Sequence, residues 1–167
     1  GDYYQSPNTT LADVGTKDFV IEVVCYVRGT ANSRVSSKLS AGAVGWQLLE
    51  NANALQLFFY DGVDSFQLIS GTMTAFTWSH AIAFVDRDDT TTNGTDWILN
   101  GKSNATRVIP SAVAETISGS GKFEIGAVSN FSTTCDNTIA YLAIWEQGNW
   151  FAGGAQNLTD WAAIGAQ

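Results

Sequence analysis

The segment 78–101 constrains the fold more than any other, because it combines two apolar runs with a polar loop between them. It opens with WSHAIAFVD, a run rich in strand-forming residues. A stretch of Asp, Asn, Gly and Thr follows, and these residue types favour turns. The segment closes with DWILNG, a second apolar run that ends in an Asn-Gly turn signal. We therefore predict a long β-hairpin and expect the rest of the chain to supply further strands beside it.

Residues 18–28 form the next strong strand pattern. One set of alternating residues is apolar and comprises Phe19, Ile21, Val23, Cys25 and Val27. The other set is only partly polar and comprises Val20, Glu22, Val24 and Tyr26. We expect both faces of this strand to be at least half covered, as in the centre of a sandwich.

Similar signals recur at near-regular spacing and give about ten strands. Besides the hairpin and residues 18–28, the predicted strands lie at 34–39, 46–50, 54–60, 65–70, within 102–110, at 123–128 and at 138–146. Helical spacing appears only at 158–164, after the candidate cap Asn157, and predicts a short C-terminal helix or turn. This pattern predicts an all-β fold, a two-sheet antiparallel β-sandwich of the jelly-roll type. We expect residues 1–17 to form an N-terminal arm that lies over the domain or reaches a neighbour, and residues 18–167 to form a single domain.

Six short motifs resemble the laminin G-like, concanavalin A-like jelly roll. The motifs, in chain order, are FVIE, SK followed by GWQL, WSHAIAFVD, WILNG, FEIG and IAYLAIW. Each is weak alone, but their order and spacing match that family from about residue 18 to residue 145. The amino-acid sequences of the strands, with an apolar and alanine-rich closing segment, also resemble those of such domains in tailed-phage structural proteins. The resemblance implies a binding or structural domain at a virion surface or in an extracellular location.

The charge of the chain argues against two classes of partner. Only eight residues are basic, sixteen are acidic, and the formal net charge is −8. Nucleic acid and anionic membrane surfaces are both bound through clusters of Lys and Arg, so we expect neither as a partner. No apolar run is long enough to span a membrane.

No cofactor is expected, although one loop has the composition of a calcium site. Its oxygen-bearing residues are Asp86, Asp88, Asp89, Asn93 and Asp96, and hard cations bind such side chains. The spacing does not match the twelve-residue calcium loop, which ends in a glutamate, so a solvated turn is the simpler explanation. The resemblance favours the second interpretation, because Ala140 and Tyr141 stand where calcium-binding relatives carry acids. The two cysteines, Cys25 and Cys135, lie in different environments, which favours separate thiols over a bridge.

The sequence lacks a recognisable catalytic set. Glucanases that share this sandwich use the pattern Glu-x-Asp-x-x-Glu on one strand. None of the five glutamates here, Glu22, Glu50, Glu115, Glu124 and Glu146, begins that pattern. The single histidine, His80, falls on a structural position of the family, where its ring can hydrogen-bond across strands. We therefore expect a protein that is not an enzyme.

Aromatic residues supply the remaining candidates for binding. Four tryptophans, Trp46, Trp78, Trp97 and Trp145, match structural positions of the family, and we expect them in the core. Trp150 and Phe151, in a glycine-rich loop after the last strand, either cover the end of the sandwich or anchor a partner. Tyr3 and Tyr4, in the N-terminal arm, are further candidates for partner contact.

Two functions fit these features. The first is a virion surface protein, a phage capsid decoration or fibre domain, which contacts other shell proteins and assembles as an oligomer. The second is a carbohydrate-binding or adhesion module of a secreted or cell-surface protein, which predicts exposed aromatic rings beside polar side chains. The two are compatible, since a decoration domain can also bind glycans.

Overall fold

The computed structural model describes residues 4–8, 10–29, 33–40, 44–87, 95–103, 116–126 and 137–146, and all regular structure among them is β. The strands are β1 (Tyr4–Gln5), β2 (Phe19–Val27), β3 (Ser33–Leu39), β4 (Val44–Asn51), β5 (Ala54–Asp61), β6 (Ser65–Ile69), β7 (Thr77–Val85), β8 (Thr95–Leu99), β9 (Lys102–Ser103), β10 (Phe123–Ile125) and β11 (Thr138–Glu146). The expected all-β fold is confirmed.

The strands form two antiparallel sheets. The six-stranded sheet has the order β1-β10-β3-β4-β5-β6, and the five-stranded sheet has the order β11-β2-β7-β8-β9. Consecutive strands pair as hairpins from β3 to β6 and from β7 to β9, whereas β2 lies between β7 and β11. This arrangement is a β-sandwich in which each sheet has an inner and an outer face.

The core lies between the two inner faces. The apolar set of β2 points inward, and its five side chains have relative exposures of 0–1%. Phe19 of β2 contacts Phe59 of β5 edge to face, with ring centroids 5.3 Å apart, so this pair joins the two sheets. Trp46 and Trp97 are fully buried from opposite sheets, as the sequence predicted.

Two tight turns follow from turn-forming residues. Between β4 and β5, Ala52 and Asn53 take φ values of 51° and 65°, and between β8 and β9, Asn100 and Gly101 take 50° and 76°. Two successive positive φ values are typical of the two-residue turns that match the twist of a hairpin, and Asn-Gly is the preferred pair. The Asn-Gly signal therefore marks the β8–β9 turn, whereas the polar stretch of the predicted hairpin follows β7, and its residues 88–94 lie outside the described residues.

The described part of the N-terminal segment packs onto the domain. Tyr4–Gln5 pairs with β10, and Val14 is 2% exposed within the core. The indole N–H of Trp46 donates to the Ala12 carbonyl at 3.1 Å. The described part of this segment thus contributes an edge strand to the six-stranded sheet and a side chain to the core.

Lys38 lies at the same end of the sandwich and is fully buried. Its Nζ donates to the carbonyls of Gly119 and Gly121 at 2.8 and 2.9 Å. Burial lowers the pKa of the Lys38 ammonium, and the nearby carboxylate of Asp13 opposes that shift. The lysine thus ties the segment before β10 to β3.

The remaining predictions lie partly outside the described residues. Of the strand predicted within 102–110, the structure shows Lys102–Ser103, and residues 104–110 are not described. The helix expected at 158–164 is also outside the described residues. Cys25 is buried in the core, whereas Cys135 is not described, so the state of the two thiols stays a prediction. The described residues include no helix long and apolar enough to cross a membrane.

Candidate functional site

Exposed aromatic rings gather on the outer face of the five-stranded sheet. Strand alternation places these side chains on the opposite side from the core, and we call this surface the aromatic face. Register aligns Tyr26 with Trp78, Val24 with both His80 and Tyr141, and Val20 with Trp145. The face is defined by Glu22, Val24, Tyr26, Trp78, His80, Tyr141 and Trp145.

Trp78 is the most exposed tryptophan among the described residues, at 52%. Its ring meets the ring of Tyr26 edge to face, with centroids 5.6 Å apart and planes inclined at 68°. Edge-to-face contact between aromatic rings is the favoured geometry and holds the indole in place while one side stays open to solvent. Trp78 is therefore a preformed flat apolar surface.

The expected core position of two tryptophans is wrong. Trp78 is half exposed and Trp145 is 37% exposed. The inward side of β7 is set by Ala81, Ala83 and Val85, which leaves Trp78 on the outer side. Trp145 lies opposite Val20, also on the outer side of its strand.

His80 and Glu22 form a polar pair beside Trp78. The His80 Nε2 and Glu22 Oε1 atoms are 2.6 Å apart, and the two side chains are 30% and 21% exposed. The backbone of His80 is fixed as well, since its N–H donates to Asn100 Oδ1 at 2.9 Å and its carbonyl accepts from the Asn100 N–H at 2.8 Å. The ring thus bonds across strands, as expected. A carboxylate can only accept, so Nε2–H donates to Glu22, and Nδ1 is left for another hydrogen bond.

A second small apolar cluster lies beside the aromatic face. Val20, Ile82, Phe84 and Ile98 point outward and are 1–9% exposed. Both faces of β2 are therefore covered to the extent expected, since Val20 is buried while Glu22, Val24 and Tyr26 are partly buried.

The outer face of the six-stranded sheet has a different character. Its side chains are mainly polar, and we call this surface the polar face. A hydrogen-bonded chain crosses three strands: Arg34 Nη1 donates to Gln47 Oε1 at 2.5 Å, and Gln47 Nε2 donates to Tyr60 Oη at 2.8 Å. The rings of Phe58 and Tyr60 stack beside it, with centroids 6.1 Å apart and planes at 10°. The face is defined by Arg34, Ser37, Gln47, Gln56, Phe58, Tyr60, Gln67 and Glu124.

The residues that the sequence proposed for partner contact are only partly described. Tyr4 is 51% exposed at the edge of the six-stranded sheet, whereas Tyr3, Trp150 and Phe151 lie outside the described residues. The sequence did not single out Arg34, Gln47 and Tyr60. The alternation of Gln56, Phe58 and Tyr60 with apolar residues carries a signal for an outer face, but the contact with β3 depends on strand pairing.

The proposed calcium loop is only partly described. Asp96 lies in β8, not in the loop, where it is fully buried and accepts from Ser103 Oγ at 2.6 Å. Asp86 is partly buried, and Asp88, Asp89 and Asn93 are not described. Among the described residues, no three His, Cys, Asp or Glu side chains converge as metal ligands.

The structure describes the side chains of three of the five glutamates, and these lie on three different strands. Glu22 pairs with His80, while Glu50 and Glu124 are buried on different strands of the other sheet. Glu115 and the side chain of Glu146 are outside the described residues. The expectation that the protein is not an enzyme stays a prediction.

Comparison with known proteins identifies the fold. The mouse laminin α1 chain, domains LG4-5, superposes with a TM-score of 0.67 at 11% identity, over 88% of this chain and 40% of that one. The fold is that of laminin G-like domains. The binding domain of botulinum neurotoxin serotype G gives a TM-score of 0.66 at 11% identity, over 99% of this chain and 44% of that one. The CBM40 of the Ruminococcus gnavus IT-sialidase, bound to α2,3 sialyllactose, gives 0.61 at 12% identity, over 89% and 83%.

Of the comparisons with known proteins, those with solved structures identify the laminin G-like fold. No family model and no curated protein matches the sequence. The chain spans less than half the length of the laminin and neurotoxin chains. The sequence-based resemblance to laminin G-like jelly rolls is confirmed at the level of the fold.

Proposed function

We propose that this laminin G-like domain is a non-enzymatic binding module that holds a glycan on its aromatic face. The observation that carries the proposal is Trp78, a half-exposed indole fixed by Tyr26 and flanked by the His80–Glu22 pair. Sugar rings have an apolar side that packs on aromatic rings, and their hydroxyls bond to polar groups at the rim. Trp78 supplies the first type of contact, and His80 with Glu22 supplies the second.

Two of the structural neighbours support a binding role. One is the CBM40 bound to α2,3 sialyllactose, and another is a neurotoxin binding domain. An extracellular location is part of the proposal, because glycans are displayed mainly outside cells. The identity of the glycan depends on the contacts of the aromatic face and is a matter for screening.

The test is a glycan screen followed by titration of the best ligand. We expect binding that is unchanged by calcium or by a chelator and that falls at least about tenfold in Trp78→Ala, since aromatic anchors carry much of the energy of an interface. Val63→Ala is the control, because Val63 is an exposed apolar residue (88%) between β5 and β6 of the other sheet. Equal losses in both variants, or full binding by Trp78→Ala, would overturn the assignment to the aromatic face.

A role on a virion is the finer form of the same proposal. It adds shell proteins as partners and an oligomeric state, and it is supported only by the sequence resemblance to tailed-phage domains. Sedimentation at high protein concentration tests it, with an oligomer as the expected result. A monomer with glycan affinity would favour a secreted or cell-surface adhesion module instead.

A further inference from the structure

Arg34 is a partly buried cation in a chain that carries twice as many acidic as basic residues. Its guanidinium makes one hydrogen bond, to Gln47 Oε1, and its buried Nε makes none. No described acidic side chain forms an ion pair with it. Burial lowers the pKa of the guanidinium, and the nearby Tyr60 side chain opposes that shift. A cation held out of water in this way is stabilised by an anion from outside the chain.

The hydrogen-bond chain on the polar face has a fixed direction. A guanidinium can only donate, so the atom of Gln47 that faces Arg34 must be its acceptor oxygen. The amide nitrogen of Gln47 is thereby turned toward Tyr60 and donates to the phenol oxygen. The Tyr60 hydroxyl hydrogen is left to donate elsewhere. Each end of the chain therefore keeps a donor that Gln47 does not use: the remaining N–H groups of Arg34 and the hydroxyl of Tyr60.

The one carboxylate among the residues that define the polar face is buried and hydrogen-bonded. Glu124 is 1% exposed, and it accepts from Gln5 Nε2 at 2.6 Å and from Ser37 Oγ at 3.4 Å. Its charge is satisfied within the protein, so it does not neutralise Arg34. The stacked rings of Phe58 and Tyr60 provide a flat apolar border on the other side of Gln47.

We propose that Arg34, Gln47 and Tyr60 form a binding site for an organic oxyanion, a carboxylate or sulfate group carried on a ring such as that of an acidic sugar. Arg34 supplies the charge, Tyr60 supplies a second donor, and the Phe58–Tyr60 pair contacts the ring. The site lies on the sheet opposite to the aromatic face, so it is independent of the function proposed above.

Titrations followed by NMR shifts and calorimetry test the proposal with four probes: glucuronate, glucose 6-sulfate, glucose and inorganic sulfate. We expect saturable binding of glucuronate, of glucose 6-sulfate or of both, with shifts centred on β3, β4 and β5, and much weaker binding of glucose and of inorganic sulfate. A difference between the two organic probes identifies which anion the site prefers. Equal binding of glucose and of the two anionic sugars would overturn the proposal, as would equal binding of inorganic sulfate.

Variants separate the site from general charge effects. Arg34→Gln is expected to lower the affinity for the anionic sugar at least about tenfold, because it removes a charge-assisted hydrogen bond. Arg28→Gln is the matched control, because it removes the same charge from an exposed position outside the polar face. Tyr60→Phe removes one donor and keeps the ring, so it tests the site even if Arg34→Gln does not fold. Equal losses in Arg34→Gln and Arg28→Gln, or unchanged affinity in Tyr60→Phe, would contradict the proposal.

Failure of this site and failure of the proposed function are distinguishable. Trp78→Ala should leave binding of the anionic sugar unchanged, and Arg34→Gln should leave binding of the screened glycan unchanged. If Trp78→Ala no longer binds the anionic sugar, that ligand lies on the aromatic face, and the assignment to Arg34 is overturned.

Discussion

Replacement of Trp97 by Ala should destabilise the domain far more than replacement of Trp78 by Ala. Trp97 is fully buried opposite Ala83, and its indole N–H donates to the Leu68 carbonyl at 3.3 Å. Truncation of a buried tryptophan removes apolar contact and leaves a cavity, with a loss of about 3–5 kcal/mol in the free energy of unfolding. Trp78 is 52% exposed, and its main described contact is one ring pair, for which about 1 kcal/mol is expected.

These energies convert into shifts of the midpoint of thermal unfolding. The unfolding entropy is about 2.1 cal/mol/K per residue, or about 0.35 kcal/mol/K for a chain of this length. A loss of about 4 kcal/mol in Trp97→Ala therefore lowers Tm by about 11 K, and a loss of about 1 kcal/mol in Trp78→Ala lowers it by about 3 K. Calorimetry of the two variants and the unmodified protein measures both shifts. Equal shifts would refute the placement of Trp78 on an outer face.

Three further predictions concern backbone and charge. Gly45→Ala should destabilise the domain by more than about 2 kcal/mol in denaturant unfolding, because Gly45 has φ +132° and a Cβ there would collide with the Lys38 carbonyl oxygen. Gly15→Ala should lose less, since its Cβ would lie 3.4 Å from Ser118 Oγ; equal losses would contradict the argument. Burial lowers the pKa of Lys38 in the folded state below the ordinary 10.5 of the unfolded state. Between these two pKa values the unfolded state binds more protons, so the free energy of unfolding should rise with pH in that range. Lys38→Met should remove this rise, and an unchanged pH profile in the variant would contradict the argument. The N–H groups of Asp64 and Val63 donate to the Asp61 carboxylate and lower its pKa. Asp61→Asn should therefore lower Tm slightly at neutral pH, and the difference in Tm should vanish as pH falls below 3.8. A difference that persists in acid would exclude the carboxylate as its source.

The sequence predicts a strand well where every second residue is apolar and faces the core. The strand predicted at 18–28 appears as Phe19–Val27 because its inner set is uniformly apolar and fully buried. Tyr4–Gln5 was not predicted as a strand, since two residues carry no period and their pairing depends on β10, far along the chain.

The orientation of β7 was harder to predict, because both of its faces are apolar. The larger residues, Trp78, Ile82 and Phe84, suggest a core face, yet the inward residues include Ala81 and Ala83. Ala83 lies opposite Trp97, and a small residue there leaves room for the indole. Complementarity of size between neighbouring strands decides the orientation, and a single strand does not carry that information.

The candidate sites depended on the same kind of long-range information. The exposed aromatic rings expected of an adhesion module were placed by sequence in the termini, whereas the structure shows them on the aromatic face. Arg34 and Tyr60 are joined through Gln47 only once β3, β4 and β5 pair. Residue type predicted which chemistry was available, and strand register decided where it gathers.

The pairing of β2 with β11 has a consequence for synthesis of the chain. Ile21 lies opposite Ile144, so one side of the most apolar strand obtains its partner only when nearly all described residues have been made. Pairing of strands so distant in sequence is slow, and until it occurs β2 presents an unpaired apolar edge. A nascent chain that lacks β11 would therefore be prone to aggregate through β2, and pairing with β11 is the step that covers this edge.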